Sequence, residues 1–323
     1  MTEYERGGTQ KDEYADDEVV HVACPMCGSD DGETLCMERG AIGVRQCASC
    51  LLIYTSPRVK ESQKAYWGDY DKYVAEARLI FTGRASHHRD PNYVEELELI
   101  ERHRPTKGRL LDVGCNMGML LRLARSRGWD VVGVEPSPAL HRLATDELEL
   151  DVYNCFLDDV PETEHGSFDV VALSDVFEHI PQPRPFLKTV ARFIRPGGLL
   201  YVKVPNARWN QLKQRLPQLI GLTPSGNAWD SYERVVHYSE ETLRAMLETA
   251  GFQVQDISIA RPVQVPVWHE YVGQYFQYPS PWVLDWRRHL ARQVFHLVGL
   301  AEHRVRGDAG YAAPNLVAIA QLF

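Results

Sequence analysis

A chain of 323 residues exceeds one ordinary domain and can bury a sizeable core. With 44% hydrophobic and 24% charged residues it has the usage of a folded globular protein, and no apolar run approaches the ~20 residues of a membrane span. The formal net charge of −9 argues against a long phosphate backbone as the main partner, and the acidic N-terminus lacks a basic-then-apolar leader. A cytoplasmic protein is expected, with no nucleic-acid partner and no membrane partner.

Residues 1–18, with Asp12, Glu13, Asp16, Asp17 and Glu18 and few apolar groups, read as a disordered acidic tail. Residues 19–56 hold Cys24-Pro25-Met26-Cys27 and Cys47-Ala48-Ser49-Cys50, with nineteen residues between the pairs. Two such pairs can each place two thiolates on one side of a tight turn and close a tetrahedron, the pattern of a four-cysteine zinc ribbon. Gly28 and Leu51 follow the pairs as turn residues. So small a segment cannot bury enough core alone, so a structural zinc would supply its folding energy. Redox chemistry at one pair is the alternative. Residues 57–107 read as a mainly helical cap or linker, with Tyr66, Trp67, Tyr70 and Tyr73 clustered in one stretch.

Residues 109–136 read RLLDVGCNMGMLLRLARSRGWDVVGVEP. The apolar run Leu110–Val113 suits a buried parallel strand. A tight turn over Gly114–Gly118 leads into a helix from Met119 to Arg127, stopped by Gly128. A second strand, Val131–Val134, ends on Glu135. Ligands of open α/β sheets bind at such strand ends. A dinucleotide site wants Gly-x-Gly-x-x-Gly, but here Asn116 stands at the middle position and the pattern is Asp112-x-Gly114-x-x-x-Gly118. Glu135 is a carboxylate placed to accept both hydroxyls of a ribose.

These residues resemble the class I S-adenosylmethionine (SAM)-dependent methyltransferases. The resemblance implies that the Gly114–Gly118 loop holds the amino acid part of SAM and Glu135 the ribose. It places cofactor contacts at Asp112, Gly114, Cys115, Asn116, Gly118, Glu135, Pro136, Asp158 and Ser174. The fold it implies is α/β, a Rossmann-like seven-stranded sheet with the last strand antiparallel, preceded by the small zinc ribbon.

The remaining elements fit that plan. A helix is expected over 137–150 with Ser137 as N-cap, then strands at Val152-Tyr153 and Phe168–Leu173. Asp158 is either an adenine contact or a turn residue. Ser174-Asp175-Val176-Phe177-Glu178-His179-Ile180-Pro181 resembles the family's segment after its fourth strand. A helix over 186–194 and a strand over 199–204 follow. Residues 206–236, with Trp209, Trp229 and Tyr232, read as an insertion forming a lid or substrate wall. His237 precedes a helix capped by Ser239. The sixth strand is expected over 252–259 and the last over 315–323. Between them 262–311 form a second insertion, either a substrate wall or a dimer face, so a homo-oligomer stays open. The SAM-binding core is thus 108–323.

A methyl acceptor needs alignment, exclusion of water and, for a hydroxyl, a base. His237, His179 and Asp175 are the candidates, with His237 favoured. The expected function is methyl transfer from SAM to a small molecule or sugar, at an oxygen, in a bacterial secondary-metabolite or polysaccharide pathway. A sugar C-methyltransferase, an RNA methyltransferase using the ribbon, and a non-catalytic SAM-binding protein remain as alternatives.

Overall fold

The computed structural model describes residues 13–60, 77, 79–83, 86–87, 89–219, 228–260, 271–272, 282–307 and 310–322. The cluster Tyr66, Trp67, Tyr70 and Tyr73 lies outside them, as do 220–227 of the first insertion.

The N-terminal segment carries five short strands: β1 (Val19–Val20), β2 (Gly32–Glu38), β3 (Ile42–Cys47), β4 (Ile53–Thr55) and β5 (Arg58–Val59). A strand β6 (Ser86–His87) and helix α1 (Asp90–His103) precede the core. The core then alternates: β7 (Arg109–Val113), α2 (Met119–Ser126), β8 (Asp130–Val134), α3 (Pro138–Arg142), β9 (Asp151–Tyr153), β10 (Phe168–Ser174), α4 (Pro183–Phe193), β11 (Ile194–Pro205) and α5 (Ala207–Leu219). Two-residue β12 (Val236–His237), α6 (Glu240–Thr249), β13 (Phe252–Ala260), β14 (Tyr271–Val272), α7 (Trp282–Arg306) and β15 (Asn315–Leu322) complete it.

The large sheet has seven strands in the order β13-β15-β11-β10-β7-β8-β9. Its β7–β11 pairings are parallel, and β15 runs antiparallel to both neighbours. This is the Rossmann-like arrangement expected, last strand included. Strands such as Phe168–Leu173 are buried throughout because both sheet faces are covered. Leu97, Ile100, Leu120, Leu121 and Leu140 of α1, α2 and α3 pack on one face. Leu187, Val190, Leu243 and Met246 of α4 and α6 pack on the other.

The ribbon is built into that second face. Cys24, Cys47, Leu52 and Tyr54 share a cluster with Val113, Phe177 and Tyr238. Strand β12 pairs antiparallel with β4, extending the ribbon meander to the order β12-β4-β3-β2. From the ribbon, the buried Glu38 carboxylate accepts the Trp229 N–H at 2.9 Å and the Ser231 N–H and hydroxyl at 2.9 and 2.7 Å. Trp229 is fully buried here, against Val44, Ile53 and Ala207.

Three expectations need correcting. Residues 13–18 belong to the fold: Tyr14 is buried, bridges Gly40 and stacks on Tyr232 at 5.5 Å. The helix expected over 137–150 stops at Arg142 and continues as a wider π turn, Leu143–Glu147, where the Thr145 hydroxyl bonds back to the His141 carbonyl. The expected helix after β10 starts earlier, at Pro183, which suits a first helical turn, and β11 begins at Ile194 rather than Leu199.

Candidate active site

The loop from β7 to α2 is shaped by three positive φ values: Gly114 at 74°, Asn116 at 53° and Gly118 at 82°. A Cβ on Gly114 would lie 2.7 Å from a Val176 methyl, and one on Gly118 would lie 2.4 Å from Leu150 Cδ1. Both glycines therefore let backbone pass where a side chain would clash. The Gly114 and Cys115 N–H groups donate to the Val134 carbonyl, and Asn116 Oδ1 accepts from Met117 N at 2.7 Å. Cys115 is buried, which pushes its thiol up.

Glu135 directly follows β8 and is almost wholly buried. One carboxylate oxygen accepts from Asn116 N at 2.8 Å, the other from Ser137 N at 2.9 Å. Burial raises its pKa, and those two N–H groups oppose the rise. Ser137 in turn caps α3, accepting from Leu140 N. Pro136, half-buried, joins these two anchors. Each Glu135 oxygen keeps lone-pair capacity after its backbone bond, so the side chain fits a vicinal diol. Asp112 is buried on β7, and burial, then Glu96, lifts its carboxyl well above the usual range. The exposed Asp158 accepts from the Thr189 hydroxyl of α4 at 2.7 Å, which pins the turn after β9.

A charged network closes the edge after β10. Ser174 donates to Glu96 Oε2 at 2.7 Å and accepts from Arg89 at 2.9 Å. Asp175, at φ 57°, lies 2.7 Å from Arg89 and 3.2 Å from Lys203. Burial would raise the Asp175 carboxyl, but Arg89 and Lys203 outweigh it and hold the group below its ordinary value. Lys203 also reaches Glu96 at 3.1 Å. Sequence reasoning missed Arg89, Glu96 and Lys203. One signal was present: Lys203 stands inside the apolar run Leu199–Val204.

Glu178 and His179 follow. Glu178 is 2% exposed, and its Oε2 has no hydrogen-bond partner among the described residues. Burial, then Asp175, raises its pKa to about 8. Among the described residues the cation that approaches it is Arg234, 3.9 Å from Oε1. His179 Nδ1 is 2.8 Å from the Glu233 carbonyl, which can only accept, so this nitrogen carries the hydrogen. Nε2 faces Glu178 Oε1 at 3.8 Å, and burial lowers the ring's pKa.

His237 lies elsewhere. Its ring meets Trp229 edge-on at 5.1 Å, and Nε2 is 3.4 Å from the Thr55 hydroxyl of the ribbon. That hydroxyl donates to the Arg234 carbonyl, so its oxygen accepts from His237. Burial, then Arg234 and Lys213, lowers the His237 pKa to about 3. A cavity of about 190 Å³ lies between ribbon and core, lined by Tyr54, Thr55, Arg58, Pro181, Gln182 and Val235. Val235 N donates to the Glu178 carbonyl at 2.9 Å, joining the cavity wall to the Glu178–His179 turn.

The ribbon cysteines converge. The Sγ atoms of Cys24, Cys27, Cys47 and Cys50 all lie within 4.8 Å of one another, and Cys24–Cys50 and Cys27–Cys47 are each 3.5 Å apart. None is in a disulfide. A tetrahedron of thiolates on zinc has sulfurs about 3.8 Å apart, so the four residues fit that ion. Gly28 and Leu51 take positive φ after each pair, as the turns require.

Residues 85–257 match the family model described as "Methyltransferase domain". The chain belongs to the class I SAM-dependent methyltransferase family. The ubiquinone biosynthesis O-methyltransferase of Coxiella burnetii is 31% identical over 173 residues, 50% of this chain and 71% of that protein. The human mitochondrial protein of that name is 28% identical over 179 residues, and the match spans 47% of its length. Among solved structures, the 1,6-didemethyltoxoflavin-N1-methyltransferase of Burkholderia thailandensis is 14% identical with a TM-score of 0.47, covering 90% of this chain and 99% of that one.

Proposed function

We propose that this methyltransferase moves a methyl group from SAM to a hydroxyl oxygen of a small molecule, with His179 as the base. Bound SAM supplies a methyl carbon already activated by its sulfonium. Glu135 would hold the ribose hydroxyls and the Gly114–Gly118 loop the amino acid part. Of the three candidates, His179 is supported by the one observation that carries this reading: its Nδ1–H is fixed on the Glu233 carbonyl, which sets the tautomer and makes Nε2, facing the Glu178 carboxyl at 3.8 Å, the basic nitrogen of the ring. Its lowered pKa keeps that nitrogen unprotonated at neutral pH. Asp175 is held by two cations and is a weaker base; it orients Arg89 and Lys203 instead. His237 faces Thr55 and Trp229, and we assign it to the seam between ribbon and core.

The cavity beside the Glu178–His179 turn suits an acceptor of one ring. Its 190 Å³ compares with the roughly 150 Å³ that accommodates a benzene ring. The O-methylating relatives favour a hydroxyl, on a phenol-like or sugar ring. Zinc on the four cysteines would be structural and would fix the ribbon wall of this cavity.

The test is incubation with methyl-labelled SAM and a panel of phenolic and sugar hydroxyl compounds. Labelled methyl ethers are expected, formed by the wild type and lost in His179→Ala. Products labelled only at nitrogen or carbon would overturn the reading.

A further inference from the structure

The two side chains of strand β5 part to opposite sides. Val59 packs on the cluster of Tyr14, Val19, Ile42 and Tyr232. Alternation along a strand sends Arg58 the other way, where it lines the cavity of about 190 Å³ between ribbon and core. The backbone there is held in place. Val20 of β1 pairs with Arg58, and the Ser56 hydroxyl accepts the Val22 N–H and donates to the Val22 carbonyl, each at 3.0 Å.

Arg58 is the one charged side chain among the described residues that line this cavity. The walls around it are neutral, with Val22, Pro25, Pro181 and Val235 supplying apolar surface. Its half-buried guanidinium makes no hydrogen bond or ion pair with a described residue. The other half-buried arginines Arg89, Arg104, Arg109 and Arg127 each meet a carboxylate. At Arg58 burial acts alone and lowers the pKa. A cation drawn partly out of water without a counter-charge is destabilised, and an incoming anion would relieve that. Its paired N–H donors match the oxygens of a carboxylate or a phosphate. The chain is −9 overall, so an acidic molecule needs such a local cation to settle on it.

We propose that Arg58 holds an acidic group of the methyl acceptor, a carboxylate or a phosphate carried on the ring that enters the cavity. The inference rests on the reading of this cavity as the acceptor site and adds the class of compound, a hydroxylated ring acid. The ribbon segment then has a use beyond its own folding: the strand after β4 carries the group that selects the substrate.

The experiment is calorimetric titration of the full chain, loaded with demethylated SAM, with meta-hydroxybenzoate, phenyl phosphate and the neutral meta-hydroxybenzamide. The wild type is expected to bind at least one of the two acids roughly tenfold or more tighter than the amide. The tighter acid identifies the substituent. Arg58→Gln removes no ion pair within the chain, so it is expected to melt like the wild type and to bind all three compounds alike. A wild type that binds the amide as well as the acids, or binds neither acid, would overturn the proposal. So would an undiminished preference for the acid in Arg58→Gln. Transfer of labelled methyl groups, measured in parallel on the two hydroxylated compounds, keeps the two readings apart. Acid-selective binding that depends on Arg58, with no methyl group reaching oxygen, would count against O-methylation and leave the role of Arg58 standing.

Discussion

Glu135 and Glu178 are both buried glutamates at the C-terminal edge of the sheet, and the fold treats them differently. Glu135 has a backbone N–H on each oxygen, from a loop and a helix start that close around it. Among the described residues, Glu178 has an oxygen with no hydrogen bond and a cation, Arg234, at 3.9 Å. An unsatisfied buried acceptor costs about 1–3 kcal/mol, a cost Glu135 avoids. The first is a docking point completed by local backbone. The second sits where core, ribbon and the 228–235 segment meet, and in the function proposed above its unsatisfied polar group serves an acceptor rather than stability. Perturbations at the ribbon seam should therefore reach Glu178 and spare Glu135.

The largest effect is expected from metal removal. Zinc on four cysteines contributes about 10–16 kcal/mol of apparent binding free energy in small sites. Chelation should unfold β2–β4, free β12 and abolish turnover, while SAM binding at Glu135 persists. Elemental analysis, circular dichroism and calorimetry on the stripped protein check this. Simultaneous loss of SAM binding would show that the two regions are not separable.

Next comes His179→Ala, expected to lower turnover ~10²–10⁴-fold with SAM affinity near wild type, as for loss of a general base. His237→Ala separates chemistry from seam packing. It should lower the unfolding free energy by about 1–3 kcal/mol, read by denaturant melts, with turnover per folded molecule largely kept. Turnover kept in His179→Ala would contradict the assignment of His179 as the base.

A smaller effect is expected for Glu178→Gln. The folded Glu178 pKa of about 8 lies above the ordinary glutamate value of 4.5, so between these pH values the folded state holds a proton that the unfolded state has released. This contribution makes stability fall as pH rises through that window and level off above it. Glu178→Gln should flatten that slope in melts at pH 5 to 8. An unchanged slope would mean that the carboxyl is ionised throughout.

The cofactor loop and the four cysteines were legible in the sequence because their logic is local: residues a few positions apart bend one turn or share one knuckle. The succession of strands and helices was legible too, through apolar runs alternating with helical spacing, while the seven-stranded sheet with its antiparallel last strand came from the family resemblance. The buried network was not. Arg89 and Glu96 at the start of α1, Asp175 after β10 and Lys203 in β11 come from three separate stretches of chain, and only the lysine inside an apolar strand hinted at it. His237 was placed correctly before its helix, but its ring direction is set by the pairing of β12 with β4, about 180 residues away. Trp229 read as a lid aromatic for the same reason: its burial depends on Glu38 of the ribbon, a partner invisible to local pattern.

The most direct test is calorimetric titration of SAM and its demethylated product into the wild type and Glu135→Ala. Both ligands should bind the wild type, and the variant should lose about 1.5–3 kcal/mol of that affinity, because it removes a charged acceptor from the ribose. Equal affinity in the two proteins, or no binding to either, would contradict the assignment of Glu135 as the residue that holds the cofactor.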